Sequence, residues 1–426
     1  MKKINLKGLD LVAYTETLSN GLDVIFVPFE KKSNYFISYA TRFGSEITNF
    51  IPSGDKKAHK VPDGIAHFLE HKMFEQESGE DPFAYFSKSG TGANASTSYD
   101  NTQYICYGTK NFEDNLRYLL QYVNAPYYTD ENVEKEKGII AEELKMYADL
   151  PDVQLETRLR ENIYHVHPRR IDIGGSVDEI YKITKEDLYL CYNNFYSPNN
   201  MFVLVVGNFP MEEAMSIIHQ ELDSKENLGK AEVPIVKEKK SVCKKEDSFV
   251  GNIQVPKIGV GLKIAISDLG QYDDLELDLY LTMFTTMLFG SSSIFREHAR
   301  SEKLLNNFYS NWDNTEEYKT FLILSSTNHP ESLIEAIKEE FSKHELDEAM
   351  FNRMKKVWIA NEVKMADYID STVNNIFDDM IRYHKVIPNK VDMIRKMNIK
   401  SLEKIVSKID FNNLSVVIMK AQEEVL

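Results

Sequence analysis

His67, Glu70 and His71 stand in the run Ala66-His67-Phe68-Leu69-Glu70-His71-Lys72, and their types and spacing suit metal-assisted hydrolysis. On a helix turning about 100° per residue, His71 lies about 40° from His67 and Glu70 about 60° to the other side. Both imidazoles therefore leave the helix along one stripe. At about 5–6 Å between Cβ atoms they can converge on one zinc ion at about 2.0–2.1 Å. Glu70 then sits beside the ion, where a carboxylate can take the proton of an attacking water without being a ligand. Phe68 and Leu69 point the other way and give the helix an apolar back. Two histidines making surface hydrogen bonds is the plainer reading, but the i,i+4 pair with a glutamate between favours the metal.

A catalytic zinc site needs a third protein ligand and an open position. The best donors lie downstream in the run Glu134 to Met146. On a helix Glu136 and Glu143, seven residues apart, nearly align, with Ile140 between them on the same stripe. Glu142 projects about 100° away, toward solvent. Pattern alone leaves two readings open, a charged surface helix and a ligand-bearing one, and the first is the commoner.

The elements that must position these groups come in two sets. Strand-like stretches (Leu22 to Pro28, Tyr35 to Arg42, Ser96 to Tyr107, Met201 to Gly207) alternate with helical ones (Gly64 to Glu75, Phe112 to Val123, Asp130 to Ala148). Thr184, with Asp187 three residues on, caps a further helix. This irregular order predicts an α+β fold with mostly antiparallel sheets backed by helices. Ala141-Glu142-Glu143-Leu144-Lys145-Met146 is echoed 219 residues later by Ala360-Asn361-Glu362-Val363-Lys364-Met365. Asn199-Asn200 and the apolar run after it are echoed 213 residues later at Asn412-Asn413. Two echoes in one order at nearly one offset predict a duplication. The boundary falls near 235, giving a zinc-binding domain over 1–235 that ends in a solvated, charged linker (Lys225 to Asp247), and a homologous domain without metal over 236–426.

Bulk composition agrees with a globular, two-domain chain: 426 residues, 42% hydrophobic. A formal charge of −16 disfavours nucleic acid and anionic membranes as partners. Met1-Lys2-Lys3 is followed by no apolar leader core, and no stretch of about 20 apolar residues could span a bilayer, so a cytoplasmic protein is expected. Cys106, Cys191 and Cys243 are widely spread and form no CxxC pair, which excludes a cysteine-ligated zinc knot.

His67-Phe68-Leu69-Glu70-His71, with Glu136 and Glu143 some seventy residues on, resembles the inverted zinc motif of the pitrilysin family, whose members include insulin-degrading enzyme and mitochondrial processing peptidase. Gly92 to Ser98 with Asn101 to Tyr104, and Phe195 to Met201 with Gly207-Asn208, resemble further family segments. The resemblance implies that His67, His71 and Glu143 hold one zinc per chain, that Glu136 supports them from the same helix face, and that Glu70 is the general base. It implies a zinc-dependent endopeptidase acting on peptides or unfolded segments inside a clamshell chamber, with Asn94, Ala95, Ser96 and Thr97 as an edge strand that orients the peptide. An internal strand is the plainer alternative for those four residues. The second half has lost the motif, since the positions aligned with His67 fall in Tyr280 to Thr286. The family's Arg and Tyr, seven residues apart, are also not matched: Arg300 is followed by Asn307, and Tyr309 comes two residues late. A chain of this length is expected to pair, with a related subunit as a heterodimer or with itself as a homodimer. The rival reading is a noncatalytic core or assembly subunit.

Overall fold

Met201–Gly207 reads Met-Phe-Val-Leu-Val-Val-Gly, and every residue of it is buried. A strand apolar on both faces must lie inside a sheet covered on both sides. In the computed structural model, which describes residues 1–422, that strand is the centre of a seven-stranded sheet. The sheet is built from β1 (Lys2–Leu6), β2 (Leu11–Thr17), β3 (Asp23–Pro28), β4 (Tyr35–Thr41), β7 (Gly92–Thr97), β8 (Thr102–Gly108) and β9 (Met201–Gly207). Two-residue strands β5 (Asn49–Phe50) and β6 (His59–Lys60) form a separate ribbon. The order is β1-β2-β3-β9-β4-β8-β7, antiparallel except where β3 runs parallel to β9. β7 is thus an edge strand, not an internal one.

Alternate residues of the strands feed two cores. Val24, Phe26, Ile37, Tyr39, Tyr104, Val203 and Val205 point to one face, which is covered by α1 (Ile65–Met73), α2 (Pro82–Lys88) and α3 (Phe112–Val123) through Phe68, Leu69, Phe86, Leu116 and Leu119. Ile25, Val27, Phe202, Leu204 and Val206 point to the other, where helix Ile369–Arg382 lays down Ile369, Val373, Ile376 and Phe377. α4 (Asp130–Ala148) follows on the first face.

The second unit has a five-stranded sheet from β10 (Glu246–Gly251), β11 (Lys257–Ala265), β12 (Tyr309–Asn314), β13 (Tyr318–Ser326) and β14 (Leu414–Ala421), in the order β10-β14-β11-β13-β12. Its single parallel pair, β10 with β14, answers to β3 with β9, so the five strands repeat the plan β3-β9-β4-β8-β7. α5 (Pro151–Ile163) packs on this sheet through Leu155, Leu159 and Ile163. The approach depends on Gly261, where a Cβ would stand 2.3 Å from the Ile163 Cδ1.

Three sequence expectations need correcting. The domains are not the contiguous blocks 1–235 and 236–426. The chain does change unit between Ile235 and Val236, but Met146–Ile171 clusters with the second unit and Glu362–Lys390 with the first. The apolar faces of α5 and of helix Ile369–Arg382 each find their sheet in the unit built by the opposite half of the sequence. Residues 423–426, the end of the second expected domain, lie outside the described residues. The charged linker is not simply solvated. The Glu238 carboxylate is buried, paired with Lys263 and accepting the backbone N–H groups of His165, Val166 and His167. Finally, Ser96 to Tyr107 is not one strand but the hairpin of β7 and β8, turned at Ser98 to Asn101.

Candidate metal centre

α1 begins at Gly64, whose φ of 85° and close approach to the Gly174 carbonyl, 2.2 Å from where a Cβ would stand, leave room for no other residue type. The helix buries Ile65, Ala66, Phe68, Leu69 and Met73. That burial turns His67, Glu70 and His71 toward α4. Lys72 is fully buried as well, ion-paired with Glu75 and donating to the Asn132 carbonyl at 3.3 Å, which ties α1 to the first turn of α4. On α4 Val133, Ile140 and Ala141 are buried, while Glu136 and Glu143 reach the two imidazoles. Glu142 is exposed and pairs with Lys145 at 2.7 Å.

Ligand atoms of His67, His71 and Glu143 lie within 4.8 Å of one another. The His71 Nε2 is 3.3 Å from Glu143 Oε2, and the His67 Nε2 is 4.0 Å from Glu143 Oε1. Donors about 2.0–2.1 Å from a tetrahedral ion stand about 3.4 Å apart, so the two nitrogens and one oxygen fit a zinc. Glu136 accepts the other side of the His71 ring, with Oε1 3.1 Å from Nδ1, which directs Nε2 toward Glu143. The Nδ1 of His67 is buried without a hydrogen-bond partner.

Burial, reinforced by the neighbouring His71, pushes the His67 pKa down to about 4, so its ring is neutral and able to donate a lone pair at physiological pH. Burial works against the charged form of His71 too, but the hydrogen bond to Glu136 and the charges of Glu143, Glu136 and Glu70 outweigh it, and its pKa is raised. For Glu136 the penalty of burial is overcome by the hydrogen bond and charge of His71, and its pKa falls. Glu70 moves the other way. Burial raises it, although a hydrogen bond from Thr97 opposes the rise. A proton acceptor shifted toward neutrality stands beside three groups suited to hold a cation.

Of the proposed peptide-orienting residues, Asn94 and Ser96 are exposed on the edge strand β7. The Asn94 Oδ1 accepts the Ala95 N–H at 3.0 Å, and Ser96 Oγ accepts from Gln103 Nε2 at 3.1 Å. Thr97 turns inward and donates to Glu70 Oε2 at 2.6 Å. In the second unit Tyr280 to Thr286 lies within the largely buried helix Asp274–Phe289. Arg300 donates to the Ser291 carbonyl, the Asn307 side chain accepts the Ser326 N–H, and Tyr309 stands exposed at the start of β12. Lys72 and Gly64 escaped the sequence reading. An apolar-face lysine and a glycine just before a helix were their only signals.

Residues 39–175 match the family described as Insulinase (Peptidase family M16), and residues 182–357 match the Peptidase M16 inactive domain. The chain is 37% identical over 371 residues to the uncharacterized zinc protease YmfH of Bacillus subtilis, covering 87% of this chain and 86% of that one. The crystal structure of a protein named as an M16-like peptidase, from Alicyclobacillus acidocaldarius, superposes with a TM-score of 0.90 at 31% identity, covering 97% of this chain and 99% of that one. The fold also matches the periplasmic protease PqqL of Escherichia coli, with a TM-score of 0.74 at 19% identity, over 96% of this chain and 47% of PqqL.

Proposed function

Because the chain belongs to the pitrilysin-type M16 peptidase family, we propose that it is a zinc-dependent endopeptidase that cuts extended peptides or unfolded segments at the site of His67, His71, Glu143 and Glu70. The observation that carries this is the convergence of three donors of the right type on one point with a partly buried carboxylate beside them. His67, His71 and Glu143 would hold the zinc, which when bound would supply a Lewis acid for the scissile carbonyl and lower the pKa of a water toward neutrality. His67 presents a neutral nitrogen, and the ring of His71 is held by Glu136 so that its Nε2 faces Glu143. Glu70 takes the proton of the attacking water and returns it to the departing amine nitrogen, so the carboxylate is regenerated as the C–N bond breaks. The free edge of β7 offers main-chain hydrogen bonds to an extended peptide, which selects for unfolded segments with little regard to side chains. A noncatalytic scaffold has no use for Glu70, and a module that binds without cutting has no use for it either.

The chain spans about half of PqqL, which supports pairing with a second chain. The partner we favour is a related subunit, forming a heterodimer. Metal analysis with digestion of a peptide library tests the catalytic reading. The wild type is expected to carry about one zinc per chain and to cut. Glu70→Gln should keep the zinc and lose hydrolysis, whereas His67→Ala, His71→Ala and Glu143→Gln should lose both. Near-normal turnover by Glu70→Gln overturns the assignment of the base, and undiminished zinc affinity in Glu143→Gln overturns the third ligand.

A further inference from the structure

Thr97 is the last residue of β7, the edge strand with a free side, and its hydroxyl reaches Glu70 across 27 positions of sequence. The direction of that hydrogen bond is set by the acceptor, because an ionised carboxylate has no proton to give. Thr102, paired with Thr97 across the hairpin and fully buried, donates its single proton to the Phe43 carbonyl at 2.8 Å, with its oxygen 3.4 Å from the Thr97 oxygen. Glu70 presents a carboxylate oxygen at 2.6 Å, a strong acceptor. The Thr97 proton therefore goes to Glu70 Oε2. As a β-branched residue on a strand, Thr97 has few side-chain rotamers available to it. One oxygen of Glu70 is thus occupied and fixed by β7, and Oε1 is left for proton transfer.

We infer that Thr97 is a positioning residue for the general base, coupling the strand on which an extended peptide pairs to the orientation of the carboxylate that serves its hydrolysis. This rests on the peptidase reading above. A peptide hydrogen-bonded along β7 holds the same backbone that carries the Thr97 hydroxyl, so substrate register and base orientation share one rigid element. Asn94 and Ser96, exposed on the same strand, bond instead to the Ala95 N–H and the Gln103 amide.

The test uses the assembled, zinc-loaded enzyme and compares Thr97→Val, which keeps the shape without the hydroxyl, with Thr97→Ser, which keeps the hydroxyl. Loss of a hydrogen bond to a charged group should lower kcat of Thr97→Val by about 10- to 100-fold, with KM, zinc content and melting temperature near those of the wild type. Thr97→Ser should recover most of the rate. Wild-type kcat in Thr97→Val, a loss confined to KM, or Thr97→Ser as impaired as Thr97→Val overturns the inference. If the wild type itself shows no chelator-sensitive hydrolysis, the peptidase reading has failed and this one falls with it. A wild type that cuts, beside a Thr97→Val that cuts equally well, removes the inference alone.

Discussion

Glu136 and Glu142 share a helix and a charge and differ in what faces them. Glu136 holds the Nδ1 of His71, while Glu142 is exposed and pairs with Lys145. Replacing Glu136 by Gln should weaken zinc affinity by about 10- to 100-fold, the usual effect of loosening a ligand's hydrogen-bonded support, and Glu142→Gln should leave it unchanged. Competitive titration against a chelator decides the point, and equal dissociation constants for the two variants would return Glu136 to the ordinary surface. The difference between these two glutamates was legible in the sequence because it depends only on helical spacing within one element. The bond from Thr97 to Glu70 was not, since it joins a strand to a helix and requires the hairpin to close beside α1. Lys72 was hidden for the related reason that its partners, Glu75 and the Asn132 carbonyl, make burial tolerable only once α1 and α4 have met.

The start of α1 is where element geometry reaches the candidate metal centre. Gly64 adopts φ 85° and abuts Gly174, and a Cβ on Gly174 would lie 2.4 Å from the Leu144 Cδ2 and 3.7 Å from the His67 Nδ1. Gly64→Ala must strain the backbone and displace the Gly174 carbonyl, at a cost of about 1–3 kcal/mol. It should lower the melting temperature with and without chelator and weaken zinc binding, because the displaced loop lies against Leu144 and His67. A variant that melts with the wild type would show that the loop yields freely. Helix boundaries of this kind were readable: Thr184 is the N-cap its setting predicted, and Asp187 returns the bond to complete a capping box. The hairpin was misread because Ser98 to Asn101 is short. Yet its turn chemistry is plain in retrospect, with Ser98 Oγ accepting the Asn101 N–H at 3.2 Å and Asn101 Nδ2 donating back to the same oxygen.

At the scale of the whole chain, amphipathic spacing tells which face of a helix is apolar but not which sheet it will cover. For that reason the duplication was visible while the exchange of Met146–Ile171 and Glu362–Lys390 between the units was not. The buried Glu238 sets one pH dependence of the second unit. Burial would raise its pKa, but the hydrogen bond from Lys263 and the three backbone donors bring it from 4.5 to about 2. A depressed carboxyl pKa contributes stability that is complete above the unfolded value and is lost as pH falls from 4.5 toward 2. The difference in melting temperature between wild type and Glu238→Gln should therefore narrow across that window, and a constant difference would contradict the assignment. Assembly gives the last prediction. The segment aligned with His67 in the second half, Tyr280 to Thr286, offers no ligand and lies in a largely buried helix. Seven residues after Arg300 stands Asn307, whose side chain is engaged by the Ser326 N–H, and Tyr309 is displaced to the start of β12. A self-pair would bring together two zinc sites and two copies of this altered segment, whereas a related subunit could contribute the Arg and Tyr that this chain does not space correctly. Activity per chain should therefore rise when the related subunit is added, with light scattering reporting a one-to-one pair. Full peptidase activity from the pure monomer or homodimer across a wide concentration range, with no gain on adding that subunit, would refute the heterodimer.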